Sequence, residues 1–298
     1  MIKRANFMYI TEMRNPRSKN LDLISTGDAV EIFIGGEIRG LKRILKEKKS
    51  IEDAIASAVK ALIKGGRVFY IGAGTSGRIG VIDAAEVHPT FGTPKNKFQA
   101  VIAGGKKAVF SSVERAEDDI KSAADAVRTG KIGPKDMVIG ITASGRTPFV
   151  LSALKEAKRQ RAETWLVTFN EIQKPPFVDG LIKVITGPEI LTGSTRLKAG
   201  TATKVILNMI STLTMVRLGK VYQNLMVDVK PTNKKLRERA KNIIKETTGA
   251  SEREAEKFLK ASKGNAKLAI LMKLKKLNYN EAMKLLKNHE GMLRTALK

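Results

Sequence analysis

Three short stretches of this chain set glycines, hydroxyl side chains and a basic residue just ahead of helical patterns: GAGTSGRIG at 72–80, ITASGRTPF at 141–149 and TGSTRLKAG at 192–200. A helix start presents unpaired N–H groups and a partial positive charge, which together hold an anion. Thr75, Ser76, Ser144, Thr147, Ser194 and Thr195 add hydroxyl donors able to surround a phosphate oxygen. Taken singly, a Ser or Thr in such a place is ordinarily a helix cap. The repetition, with Arg78, Arg146, Arg196 and Lys198 attached and Thr192 opening the third stretch, favours the grip of a monophosphate.

The first stretch also fits the G-x-G-x-x-G pattern of a dinucleotide turn through Gly72, Gly74 and Gly77. Such turns pair with an acidic residue roughly 20 positions on, at the end of the next strand, where it binds the ribose. Here that strand ends in Ile102-Ala103-Gly104-Gly105. With the second anchor missing, no nucleotide cofactor is expected.

Acid–base chemistry is narrowed by what the chain lacks. It has no cysteine and only two histidines, His88 and His289. That excludes disulfides, thiolate metal sites and a cysteine nucleophile, and leaves little from which to build a histidine metal centre or a Ser-His-Asp triad. Proton transfer falls to carboxylates, Lys or Tyr. Glu86 stands among Ala84, Ala85 and Val87, and Glu117 in an acidic cluster with Asp118 and Asp119. By themselves these read as exposed carboxylates on helices. Glu189, after the fifth strand, reads equally well as a turn residue or as a third site carboxylate.

The elements that must position these groups are legible in the apolar patterning. Strands at 67–72, 98–103, 136–142, 163–169 and 181–186 alternate with helices at 51–64, 76–86, 111–128 and 147–158 and a long helix from about Ser194 to Leu218. Alternation of this kind implies an α/β fold, a doubly wound, mostly parallel sheet covered by helices on both faces. Residues 1–50 form an N-terminal helical arm with apolar spacing through Ile32, Ile38, Leu41 and Ile44, and 51–230 the sheet domain. Residues 231–248 read as a basic connecting helix, and 249–298 as three short amphipathic segments in a small all-α bundle, broken near Gly249, Gly264 and Asn278.

At 298 residues, 42% hydrophobic and 28% charged, the chain has the composition of a globular protein with a full core. No apolar run approaches the roughly 20 residues of a membrane span, and the start, MIKRANFMYI, is too short in apolar residues for a signal peptide. A cytoplasmic location without membrane association is expected. The formal charge of +26 invites a nucleic-acid reading. The excess is spread along the whole chain, with neither zinc-finger spacing nor an RNP-type aromatic strand, so a solvated basic surface is expected and no nucleic-acid partner.

The loops GTSGR and ASGRTP resemble those of the sugar isomerase (SIS) domain that binds phosphosugars. Within that superfamily the sequence is similar to the N-acetylmuramic acid 6-phosphate etherases. The motifs are TEMRNPRSKNLD (11–22), YIGAGTSGRIGVIDAAEVHPTFG (70–92), IAGG (102–105), RAEDD (115–119), GITASGRTPFV (140–150), TGSTRLKAGTATKVILNMIST (192–212) and RLGKVYQNLMVDVKPTNKKL (217–236).

The resemblance implies cleavage of the D-lactyl ether of N-acetylmuramic acid 6-phosphate, with no metal or cofactor, in a homodimer whose sites lie near the subunit interface. The products would be N-acetylglucosamine 6-phosphate and D-lactate, in peptidoglycan recycling. It further implies that Glu86 is the acid that protonates departing lactate and Glu117 the base that takes the C2 proton. The tail resembles a ubiquitin-associated-like bundle. His88 departs from the small residue or Pro of the family motif and is expected only to pack. The alternatives are a phosphosugar isomerase, or a phosphosugar-sensing regulator of the glucokinase regulatory protein or transcription-factor type.

Overall fold

The structure, a computed structural model, describes residues 9–231 and 233–298. Two short 3-10 turns, Ile10–Glu12 and Pro16–Ser18, open the arm. Helix α1 (Thr26–Lys42) follows, started by Ser25, whose hydroxyl accepts the Asp28 N–H, and α2 (Lys48–Ile63) leads to the sheet. Five strands, β1 (Val68–Gly72), β2 (Phe98–Ile102), β3 (Met137–Ile141), β4 (Glu163–Thr168) and β5 (Gly180–Lys183), pair in the order β2-β1-β3-β4-β5. All four pairings are parallel, so the strands read as continuous apolar runs buried on both faces.

Helices α3 (Gly74–Phe91), α4 (Lys107–Phe110), α5 (Ile120–Thr129) and α6 (Pro148–Arg159) fill the connections from β1 to β4, and α7 (Lys198–Arg217) follows β5. Phe69 and Ile71 of β1, Val138 of β3 and Leu166 of β4 pack with Val127 of α5 and Val150 and Leu154 of α6. The alternate residue Tyr70 faces α3, where Gly80 comes so near that an added Cβ would sit 3.0 Å from the Tyr70 Cβ.

Two compact units are distinguishable. One holds the sheet and runs to Ala84 and from Asn96 to Ile210, and the other comprises Ala85–Lys95 and Ser211–Lys298. In the second, α8 (Lys234–Thr248), α9 (Glu252–Ala261), α10 (Ala266–Lys275), α11 (Tyr279–Asn288) and α12 (Leu293–Leu297) form a helical bundle. Ser251 with Glu254, and Asn278 with Glu281, make reciprocal capping boxes that fix the starts of α9 and α11. Gly249, at φ +68°, ends α8 in the left-handed conformation.

Five sequence expectations differ from this structure, the first being that residues 249–298 hold four helices, α9 to α12, where three segments are expected. The helix expected at 111–128 is broken. Arg115 takes a left-handed φ of 58°, Ala116–Asp118 is a 3-10 turn, and Asp119 starts α5 by accepting the Ser122 N–H. Helix α3 runs on to Phe91 through Pro89, whose missing N–H falls in the last turn. The long helix begins at Lys198 rather than near Ser194, because Glu189 supplies its cap from outside. Finally, α10 is not amphipathic: Ala266 through Met272 are all buried, so this helix is the bundle's central element, surrounded rather than one-sided.

Candidate active site

The strand order reverses between β1 and β3, the place where open α/β sheets leave a crevice beyond their carboxyl ends. Register puts Gly72, the last residue of β1, directly opposite Ile141, the last of β3. The first and second hydroxyl turns therefore leave the sheet side by side. In the first, Gly77 lies so close to the strand that an added Cβ would be 2.7 Å from the Gly72 carbonyl oxygen. This brings the first turn of α3, with Thr75 and Ser76, down onto the end of β1.

In the second turn, Thr142 Oγ1 shares hydrogen bonds with Thr147 Oγ1 at 2.7 Å and Ser144 Oγ at 3.3 Å. Ser144 Oγ also accepts the Arg146 N–H. Thr147, at the N-cap position of α6, makes no side-chain cap bond, its hydroxyl being engaged with Thr142. The hydroxyls of Thr75, Ser76, Ser194 and Thr195 have no partner among the described residues, and these side chains are half-buried.

The third turn is joined to both others within the sheet unit. An added Cβ on Gly200, in the first turn of α7, would be 3.5 Å from Thr75 Cγ2. Asp83 of α3 is buried, accepts the Tyr70 hydroxyl at 3.0 Å and pairs with Lys204 of α7 at 3.1 Å, which locks the two helices together. On the other side Gly193 donates its N–H to Thr11 of the arm, whose partner Asn170 donates to Ala143 of the second turn.

Glu189 is completely buried and accepts the N–H groups of Lys198 and Ala199 at 2.9 and 3.0 Å. It caps α7, so the first N–H groups of that helix are taken. Burial pushes its carboxyl up from the usual range, the two N–H bonds opposing this. Lys198 is also buried and donates to the carbonyls of Thr186 and Pro188, so its ammonium belongs to this capping loop. Burial lowers its pKa, against the nearby Glu189 and Glu37.

Glu117 is exposed on the 3-10 turn that follows Arg115. A cavity of about 520 Å³ lies beside this turn, lined by Gly104, Gly105, Arg115, Asp119 and Ser122 among others. Arg78 of the first turn donates to the carbonyls of Val109 and Ser111, fixing the segment that leads to Glu117. Glu86 is exposed on α3 and falls in the second compact unit. His88 closes the end of the same helix through its Nδ1 and the Thr93 carbonyl.

Sequence reasoning missed Thr11, Thr142, Asn170 and the Asp83–Lys204 pair. Asn170 carried a usable signal: an amide immediately beyond a strand's carboxyl end, where open sheets bind ligands. Among the described residues no group of three or more His, Asp or Glu side chains is placed to hold a metal ion. No helix among them is long and apolar enough to cross a membrane.

The family model described as the glucokinase regulatory protein N-terminal SIS domain matches residues 50–158, and that of the C-terminal lid domain of glucokinase regulatory protein matches 223–268. Among solved structures, a phosphoheptose isomerase from Francisella tularensis is similar at a TM-score of 0.49 and 18% identity, covering 63% of this chain and 100% of that one. The N-acetylmuramic acid 6-phosphate etherase of Francisella tularensis subsp. tularensis is 48% identical over 96% of this chain and 97% of its own. That of Geobacillus thermodenitrificans is 46% identical over 96% and 98%. At this identity over almost the full length of both partners, the chain belongs to the N-acetylmuramic acid 6-phosphate etherase family.

Proposed function

We propose that this protein is a carbon–oxygen lyase that removes the D-lactyl group from N-acetylmuramic acid 6-phosphate, in the recycling of cell-wall amino sugars in the cytoplasm. What supports the reading is that the first two hydroxyl-bearing turns leave the sheet side by side at the β1/β3 reversal, with Thr75 against Gly200 at the start of α7 and the arm joining the second turn to the third. Thr75, Ser76, Ser144, Thr147, Ser194 and Thr195 hold the phosphate and sugar.

A secondary alkoxide is a poor leaving group, so direct displacement of lactate is unattractive. In the open-chain sugar the C2 proton is α to the aldehyde and acidic enough for a carboxylate to remove. Glu117 takes that proton, the C3–O bond breaks, and Glu86 protonates the departing lactyl oxygen. Water then adds at C3 of the unsaturated aldehyde and a proton returns to C2, giving N-acetylglucosamine 6-phosphate and D-lactate. Each positioned carboxylate contributes on the order of 10²–10⁴-fold. Two carboxylates in different surroundings suffice for both roles.

The working assembly is a homodimer. Its support is the face of α1, where Val30, Phe33, Ile34 and Ile38 are exposed at helical spacing. In functional terms residues 1–50 are the arm, 51–230 the phosphosugar-binding domain and 231–298 the connecting helix and bundle.

The test is incubation of the purified chain with N-acetylmuramic acid 6-phosphate and with the unphosphorylated sugar. D-lactate is expected from the first alone, with KM raised about tenfold by Ser76→Ala or Ser144→Ala as one charge-assisted bond is lost. Interconversion of aldose and ketose phosphates without lactate would replace this reading with isomerisation.

A further inference from the structure

Thr11 and Asn170 are each about 1% exposed and lie 159 positions apart in sequence, yet they are bonded to each other twice. Asn170 Oδ1 accepts the Thr11 N–H at 3.3 Å, and Asn170 Nδ2 donates to Thr11 Oγ1 at 2.8 Å and to the Ala143 carbonyl at 2.9 Å. The orientation of the amide is fixed by its surroundings, since a flipped group would set NH2 against an N–H and oxygen against two oxygens. The Thr11 carbonyl in turn accepts the Gly193 N–H at 3.1 Å. One unbroken chain of hydrogen bonds thus runs from the second hydroxyl turn through Asn170 and Thr11 to the third.

Other contacts hold the arm along the same line. The Arg146 guanidinium lies over the Tyr9 ring, 4.2 Å from its centre. Ser18 Oγ donates to the Ile190 carbonyl at 2.7 Å, just ahead of the third turn. Every polar atom of the buried amide is matched, to Thr11 of the arm and to Ala143 of the second turn, and Thr11 alone carries the link on to Gly193.

We infer that Thr11 and Asn170 are positioning residues: they form a clasp that sets the spacing between the second and third turns, and through it the affinity for the substrate's phosphate. This rests on the phosphosugar reading above. Phosphate contacts are made alike in ground state and transition state, so loosening the clasp raises KM and leaves kcat nearly unchanged.

The experiment compares the full chain with Thr11→Val, Asn170→Asp and Thr11→Ser, reading D-lactate kinetics and competitive inhibition by inorganic phosphate. Thr11→Val and Asn170→Asp should raise both KM and the phosphate inhibition constant about tenfold, with kcat within about twofold, and Thr11→Ser should restore both constants. Hydrogen exchange on the wild-type chain gives an answer independent of whether a variant folds. On adding inorganic phosphate, the peptide carrying Gly193 and the arm peptide 9–15 should gain protection together.

Unchanged constants in Thr11→Val beside an active wild type, or protection that reaches the turns and not the arm, would overturn the clasp alone. A wild type that releases no lactate would overturn the functional reading and the clasp with it.

Discussion

Gly77→Ala is the sharpest probe of how the first turn is held. An added Cβ there would lie 2.6 Å from Ile102 Cγ1, 2.7 Å from the Gly72 carbonyl oxygen and 3.0 Å from its carbon. The isoleucine side chain can turn away. The carbonyl cannot, because it ends β1 and accepts the Ala103 N–H at 3.0 Å. The start of α3 must therefore lift by several tenths of an ångström, carrying Thr75 and Ser76 with it. Overpacking of this kind costs about 1–3 kcal/mol. Taking about 2 kcal/mol, the melting temperature should fall by roughly 4–8 °C for a unit of this size.

The displaced hydroxyls should also raise the phosphate inhibition constant by about tenfold, as expected for one weakened charge-assisted contact. Gly133→Ala is the control, with nothing within 4 Å of the added carbon. It should shift stability by no more than about 0.5 kcal/mol. Thermal melts and phosphate inhibition of the two variants and the wild type make the assay. If Gly77→Ala melts with Gly133→Ala and binds phosphate as wild type does, the close approach does not position the turn.

Glu189 is buried with its carboxyl pushed up by desolvation. Its stabilising contribution is therefore fully present below the ordinary carboxylate range and is lost as pH rises through the raised folded value. Urea titrations of wild type and Glu189→Gln should show wild type losing ground as pH rises across that window, whereas parallel profiles would mean the carboxyl is not perturbed. Lys267 is 3% exposed and donates to Asp228 and to the carbonyls of Gly219 and Gly291. Lys267→Met should cost about 3 kcal/mol, the low end for breaking a buried pair, because Asp228 keeps Lys220 at 3.1 Å. Denaturant unfolding followed in the bundle measures this, and a loss under about 1 kcal/mol would show the ammonium to be dispensable. Glu86→Gln should stop lactate departure while C2 proton exchange persists, and Glu117→Gln should remove both. The opposite pattern in deuterated water would exchange the two roles.

The sheet was legible because buried parallel strands announce themselves as apolar runs, and β1 to β5 fall within two or three residues of the stretches that predict them. Hydroxyls repeating before helices were equally visible. Less visible was anything depending on one backbone angle or on distant partners. A left-handed Arg115 breaks an otherwise helical pattern, and no residue type there advertises it. Glu189 caps a helix nine residues away, so its role cannot be separated from that of a free carboxylate by local spacing. Asn170 and Thr11 find each other only once β4 and the arm are folded. The burial of α10 on every side likewise belongs to the bundle, since its charged ends imitate an amphipathic helix.

Incubation with N-acetylmuramic acid 6-phosphate in deuterated water enriched in oxygen-18 tests the central claim most directly. Mass spectrometry of the sugar product should find deuterium at C2 and oxygen-18 at C3, with unlabelled lactate oxygen at the cleaved bond. A product carrying neither label, formed as fast as lactate appears, would contradict elimination followed by hydration.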